Sequence, residues 1–113
     1  MLYIGNVMLT NSLQNRVFRA LSDPTRRQII AKLADQPLPV HRISSAFDLT
    51  RPAVSRHLRI LKEAGLVGLA GSGRENVYHL KTSTLREVEE WLNGIWARRL
   101  SKLKSLVEEA TDE

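Results

Sequence analysis

Residues Leu49–Val67, LTRPAVSRHLRILKEAGLV, constrain the fold more than any other stretch of the chain. Val54, Leu58 and Leu61 recur at steps of four and three, and this spacing places them on one side of an α-helix. Basic and small polar residues occupy the opposite side. The pattern predicts a short amphipathic helix over residues 50–64. One face packs on a small core, and the other face is exposed.

The ends and the polar side of this helix carry further signals. Thr50 is a suitable N-cap, and Pro52 suits the first turn, where its missing N–H costs nothing. Gly65 suits the left-handed position that follows a helix. A solvated basic surface helix would show the same pattern, so the neighbouring segments decide its interpretation. The candidates for contact with nucleic-acid bases or phosphates are Thr50, Arg51, Ser55, Arg56, His57, Arg59 and Lys62.

The preceding segment predicts a second short helix. Val40, Ile43 and Phe47 share one helical face, and residues 48–50 then form a short turn. Two short helices joined this closely form a helix-turn-helix, whose second helix reads the major groove of DNA. His57 lies beside the apolar stripe, so we expect it to pack or hydrogen-bond where the helices meet, with a phosphate contact as the alternative.

Two short apolar runs follow. Leu66–Ala70 and Val77–Leu80 flank a glycine-containing tip, Gly71–Arg74, and predict a β-hairpin over residues 66–80. A helix-turn-helix followed at once by a hairpin is a winged helix. Arg74 would lie near the wing tip, where an extended cation reaches a phosphate or the minor groove. A solvated arginine is the alternative for Arg74.

Two more helices are predicted nearer the N-terminus. The first ends near Ser22, and Asp23 and Pro24 then cap and begin the second. Arg26 and Arg27 could reach phosphates beside the site, but we expect them to pair with acids on the surface. Residues 35–39, DQPLP, break the chain before the helix-turn-helix. The apolar residues that predict the first helix are Leu13, Val17, Ala20 and Leu21.

A long helix is predicted from about Thr84 to Glu109. Apolar residues recur in it at steps of three or four, and Thr84 with Glu87 forms a predicted capping box. A domain of about 70 residues cannot bury so long a seam, and the simplest partner is a second copy across a two-fold axis. Packing within the chain is the alternative. The predicted dimer-interface residues are Leu13, Val17, Leu92, Trp96, Leu100 and Leu103.

The charge distribution agrees with a nucleic-acid partner. The 113 residues carry a net charge of +5, which favours an anionic partner. Between His41 and Lys62 there are five Arg or Lys and one acid, whereas the last six residues hold four acids and no base. The chain has no cysteine, which fits a reducing cytoplasm. No apolar run approaches the roughly 20 residues of a membrane span, and the first residues lack the features of a signal peptide.

Three segments, FRALSDPTRRQIIAKL, VSRHLRILKEAGLV and the hairpin ending VYHL, follow one another in an order that resembles the ArsR family of bacterial winged-helix repressors. The resemblance covers about residues 17–80. It implies a mainly α (α+β) winged helix-turn-helix: four helices, two strands and a long C-terminal helix. It also implies a symmetric homodimer that binds a palindromic operator and represses transcription, often of its own gene. An inducer that releases the DNA is implied as well, classically a toxic metal ion.

We divide the chain accordingly. A single winged-helix domain over residues 1–113 comprises a DNA-binding core (12–82), a C-terminal dimerisation helix (83–110) and an N-terminal extension (1–11). The extension is expected to lengthen the first helix, pack at the dimer interface or fray.

The metal-sensing part of the resemblance does not carry over. Arsenic and cadmium sensors of the family place cysteines where this chain has Pro39, His41 and Ser44, and soft metals need such thiolates. A second family site needs histidines on the last helix, and residues 83–113 contain none. His41, His57 and His79 are scattered, and we expect no metal and no cofactor. Whether a small organic inducer exists stays open.

Other function classes fit less well. We find no paired carboxylates, no Ser/His/Asp pattern and no glycine-rich phosphate loop that opens a helix, so no enzymatic activity is expected. A winged helix used for protein interaction, or for DNA binding without operator specificity, remains the alternative.

Overall fold

A computed structural model describes residues 11–72 and 75–111. Its helices and strands follow the order predicted for a winged helix-turn-helix, with one additional strand. The helices are α1 (Asn11–Leu21), α2 (Pro24–Asp35), α3 (Val40–Phe47), α4 (Arg51–Glu63) and α5 (Thr82–Thr111). The strands are β1 (Leu38–Pro39), β2 (Val67–Ser72) and β3 (Glu75–Leu80).

The sheet is antiparallel, in the order β1-β3-β2. Strands β2 and β3 pair from Val67 opposite Leu80 to Ser72 opposite Glu75, so the hairpin strands are longer than predicted. Strand β1 lies where the sequence predicts only a break, with Leu38 opposite Tyr78 and Pro39 opposite Val77. Two residues are too few to show alternation, and a proline without an N–H is tolerated at a sheet edge.

The chain divides into two compact units. The larger spans residues 9–84 and contains α1–α4 and the sheet. The second contains α5 from Leu85 onward.

The apolar core of the larger unit is built mainly by its helices. Val54, Leu58 and Leu61 are each 0% exposed, which confirms the apolar stripe predicted for the helix over residues 50–64. Burying a side chain of this size contributes about 1.5–3 kcal/mol. The remaining buried apolar residues are Val17, Ala20, Ile29, Leu33, Leu38, Ile43, Ala64, Leu66 and Val67.

The start of α5 differs from the prediction. The helix begins at Thr82, so Thr84 lies inside it and the predicted capping box with Glu87 is wrong. The Thr84 hydroxyl instead donates a hydrogen bond to the backbone carbonyl of Gly65, 2.7 Å away. This bond joins the end of the α4 segment to the beginning of α5, a long-range contact that a local motif does not reveal.

Candidate nucleic-acid interface

The segment that we call the reading head comprises α3, the turn after it and α4, residues 40–64. Asp48 ends α3 in the left-handed conformation (φ 52°, ψ 46°). The Ser44 hydroxyl donates to the Leu49 carbonyl at 2.6 Å, and the Leu49 N–H donates to the Ser44 carbonyl at 3.2 Å. These paired bonds close the predicted three-residue turn and fix the direction in which α4 leaves α3.

The ends of α4 are capped as the sequence predicts. The Thr50 hydroxyl oxygen accepts from the N–H of Ala53 at 3.3 Å, and a proline occupies the first turn. At the other end Gly65 has φ +75°, and the N–H of Leu66 donates to the Leu61 carbonyl at 2.9 Å. This satisfies a carbonyl that a helix C-terminus otherwise leaves without a partner.

The polar face of α4 is exposed and basic. Of the seven residues predicted on this helix for DNA contact, six are exposed: Thr50, Arg51, Ser55, Arg56, Arg59 and Lys62. The buried stripe on the opposite face holds the helix to the core. A helix anchored in this way presents its cations outward, at positions where major-groove contacts are made by helix-turn-helix proteins.

His57, the seventh residue, is half-buried. Its Nδ1 lies 3.4 Å from Nη1 of Arg26, on α2. A guanidinium has only donors, so the imidazole Nδ1 faces it as the acceptor. His57 therefore makes an inter-helix contact, with α2 and not with the other helix of the helix-turn-helix, and its role in DNA contact stays a prediction.

Arg26 and Arg27 hold the end of α1. Arg26 donates through Nε to the Ala20 carbonyl at 2.8 Å and through Nη2 to the Arg19 carbonyl at 3.1 Å. Arg27 Nη1 donates to the Leu21 carbonyl at 2.7 Å. Both guanidinium groups thus donate to backbone carbonyls, a contact that the sequence did not predict, and the Arg26 charge also attracts the Asp23 carboxylate. They bind the last carbonyls of α1, of which that of Arg19 also accepts from the N–H and the hydroxyl of Ser22. A positive charge at this end of the helix also offsets the helix dipole.

This role of the two arginines had a signal in the sequence. They lie in the first turn of a helix that starts three residues after the previous helix ends, so their long side chains can reach its last carbonyls. Asp23 organises the same corner, because its carboxylate accepts from the N–H of Arg26 at 3.0 Å. That hydrogen bond, aided by the Arg26 charge, lowers the pKa of Asp23 despite partial burial.

The wing contains a close approach between its two strands. His79 pairs opposite Gly68, and a Cβ atom at position 68 would lie 2.6 Å from the imidazole Nε2. Gly68 therefore leaves room for a half-buried ring, which fits the structural role that we expect for His79. Arg74, predicted at the wing tip, lies outside the described residues.

The residues predicted for a dimer interface fall into two groups. On α1, Leu13 is half-buried, but Val17 is 0% exposed and can lose no further surface to a partner. Val17 is thus a core residue and does not support the interface prediction. On α5, the four predicted residues are exposed, with Trp96 at 62%. The other three are Leu92, Leu100 and Leu103.

A family model for the helix-turn-helix of bacterial regulatory proteins of the arsR family matches residues 23–68. The HTH-type transcriptional regulator Rv2034 of Mycobacterium tuberculosis is 36% identical over 106 residues, which cover 94% of this chain and 99% of that protein. This chain belongs to the ArsR family. The match spans nearly the whole of both proteins, so membership extends beyond the reading head.

Two other relatives support the same placement in the ArsR family. The transcriptional repressor SdpR of Bacillus subtilis is 36% identical over 78 residues, covering 69% of this chain and 87% of that one. A solution structure from Mycobacterium bovis, described as a homodimeric winged helix-turn-helix DNA-binding domain, is 27% identical with a TM-score of 0.64, covering 77% and 80% of the two chains. This ArsR-family chain is a DNA-binding transcriptional regulator with a winged helix-turn-helix.

The cysteine ligands of the arsenic and cadmium sensors of the ArsR family are missing from this chain. Pro39 offers no side-chain ligand, and the Ser44 hydroxyl is bonded to a backbone carbonyl. With no cysteine in the sequence, no thiolate is present for a soft metal. Across residues 11–72 and 75–111, no three His, Asp or Glu side chains lie close enough together to hold a metal ion.

In the part of the ArsR-family chain that the structure describes, no helix is both long enough and apolar enough to cross a lipid bilayer.

Proposed function

We propose that this ArsR-family protein is a homodimeric, autoregulatory repressor, acting in the cytoplasm, that occludes a promoter by binding a palindromic operator. Each protomer would place α4 in a major groove, with the two reading helices about 34 Å apart, one turn of B-DNA. Occlusion needs no catalytic group, so we assign the protein no enzymatic activity.

The observation that carries this proposal is the exposed basic face of α4. Thr50, Arg51, Ser55 and Arg56 lie on its N-terminal half, which enters the groove in helix-turn-helix proteins. We assign them to base edges and nearby phosphates. An arginine that pairs with guanine through two hydrogen bonds discriminates by about 1–3 kcal/mol.

Phosphate contacts would supply most of the affinity. We assign Arg59, Lys62 and Arg74 to phosphates. Each neutralised phosphate releases condensed counterions, so affinity should fall steeply as salt rises.

The homodimer is supported by α5. Seven large apolar side chains on this helix are between 41% and 62% exposed in the single chain. Contiguous apolar surface of this kind marks an interaction site. The homodimeric M. bovis relative makes a second copy the partner that we propose.

The test is fluorescence anisotropy with the promoter fragment of the protein's own gene and a scrambled fragment of equal length, at physiological salt. A repressor of this kind should bind the promoter at least a thousandfold more tightly than the scramble, with two chains per site. Equal, salt-sensitive binding to both fragments would favour a non-specific DNA-binding module. The absence of binding to either would favour a protein-interaction module.

A further inference from the structure

The contacts of Arg26 reach three helices at once. Its backbone N–H donates to the α2 N-cap Asp23, and two nitrogen atoms of its guanidinium donate to carbonyls at the end of α1. The third nitrogen, Nη1, faces the imidazole of His57 on α4. All three guanidinium nitrogens are thus engaged, on two helices other than the one that carries the residue.

The contact with α4 lies on a particular side of that helix. His57 is half-buried and directly follows Arg56, which lies on the exposed basic face. Apolar packing by Val54, Leu58 and Leu61 resists separation of α4 from the core, but it is non-directional and constrains rotation about the helix axis less strictly. A hydrogen bond at one edge of the buried stripe adds the missing directional constraint.

We infer that Arg26 is a positioning residue for operator recognition. Through His57 it sets the rotation of α4 about its axis, relative to the fixed end of α1. The orientation of the helix that carries the DNA-contacting side chains is thereby fixed relative to α1. The inference deepens the proposed function and rests on it, since α4 must be the helix that reads DNA.

Arg27 provides a matched control. It is the next residue on α2, carries the same charge and donates to the neighbouring carbonyl of the same α1 terminus. The described contacts of Arg27 do not include α4. Arg26→Ala and Arg27→Ala therefore both remove one cation and part of the α1 cap, but only Arg26→Ala also removes a contact with the reading helix.

The experiment measures the affinity of Arg26→Ala, Arg27→Ala, His57→Ala and the Arg26→Ala/His57→Ala double variant for operator and scrambled DNA. Loss of one charge-assisted hydrogen bond should lower operator affinity about tenfold in both Arg26→Ala and His57→Ala. Scrambled DNA should be bound within about twofold of wild type, because phosphate contacts alone govern that binding. The double variant should be no weaker than either single variant, and Arg27→Ala should keep its operator preference.

Two variants of His57 guard against simple misfolding. His57→Ala leaves both α1 caps of Arg26 in place, so it should retain the wild-type circular dichroism spectrum. His57→Gln keeps an acceptor for the guanidinium and should retain most of the operator preference.

Several results would overturn the inference. An equal loss on operator and scrambled DNA in Arg26→Ala, with a salt slope reduced by about one, would make Arg26 a phosphate contact. If Arg27→Ala loses as much operator affinity as Arg26→Ala, both arginines act only by capping the end of α1. If the operator-affinity losses of Arg26→Ala and His57→Ala multiply in the double variant, the two residues act independently. Failure of the wild type to prefer its operator would instead overturn the proposed function itself.

Discussion

The reading head and α5 differ in how far their apolar sides are buried within the single chain. In the reading head Ile43, Val54, Leu58 and Leu61 are all 0% exposed within the single chain. In α5 no residue of the 30 is buried. The geometry of the reading head is thus determined by one chain, whereas the apolar side of α5 would be covered by the partner of the proposed dimer. Operator recognition would combine a pre-formed reader with a spacing that only the dimer supplies.

The largest effect should follow from Trp96→Ala combined with Leu100→Ala. Each truncation removes an exposed apolar side chain that the proposed partner covers, and interface hot spots cost about 2 kcal/mol or more apiece. The dimer dissociation constant should rise by roughly a thousandfold, since each 1.4 kcal/mol is tenfold. Sedimentation equilibrium measures it. Arg99→Ala, which lies between the two positions and is exposed, is the control. An unchanged dissociation constant would remove these residues from the interface.

Arg56→Ala tests the reading head. The fold and the dimer should stay intact, because Arg56 is exposed on the polar face of α4. Operator affinity should fall by about 10–100-fold, the value of one arginine–base pair. A gel shift measures this loss. Lys32→Ala, which removes an exposed cation outside the reading head, should change operator affinity far less. Wild-type affinity in Arg56→Ala would contradict its assignment to base contact.

One glycine in the wing and one in α5 extend the comparison. Their replacement by alanine should change the free energy of unfolding in opposite directions. Gly68→Ala places a Cβ against the His79 ring and near Cε of Lys81, at 3.1 Å, so it should destabilise the larger unit by about 1–2 kcal/mol. In the His79→Ala background the penalty should shrink. Gly94→Ala, in the interior of α5, should stabilise by about 0.5–1 kcal/mol through helix propensity. Urea denaturation measures all three. A destabilising Gly94→Ala would reveal close packing at that position.

The smallest predicted effect concerns Asp23, which caps α2. Asp23→Ala should cost about 1 kcal/mol, and Asp23→Asn less, since an amide oxygen can still cap. The folded pKa lies below the ordinary value of 3.8, so the folded state favours the carboxylate. This stabilisation is complete above that value and is lost as pH falls through the lowered pKa. The difference between wild type and Asp23→Asn in urea denaturation should therefore shrink in acid. A constant difference would contradict the charge contribution.

The sequence predicts those parts of the fold that local patterns encode. The i, i+4, i+7 stripe of α4, its Thr50 cap and the Gly65 stop all depend on neighbours within one helix, and the structure confirms them. Strand β1 and the bond from Thr84 to Gly65 are absent from the prediction, because each joins residues far apart in the chain. The sequence predicts a local capping motif for Thr84, whereas its hydroxyl binds a carbonyl 19 residues away in the chain.

The same distinction between local patterns and long-range contacts applies to the candidate site. Exposure of the six α4 residues follows from their position opposite the apolar stripe. The Arg26–His57 contact joins residues 31 apart in sequence, and only the packing of α2 against α4 brings them together. Charge and periodicity thus identify which side chains face outward, but not which ones orient the helix that carries them.

The most direct measurement compares a full operator with a single half-site, for wild type and for Trp96→Ala/Leu100→Ala. Once the operator is mapped by footprinting, anisotropy gives all four affinities. A dimer with two reading heads predicts that wild type binds the full operator far more tightly than the half-site. The variant should bind both equally, at the wild-type half-site affinity. Wild-type affinity of the variant for the full operator would contradict recognition that depends on pairing through α5.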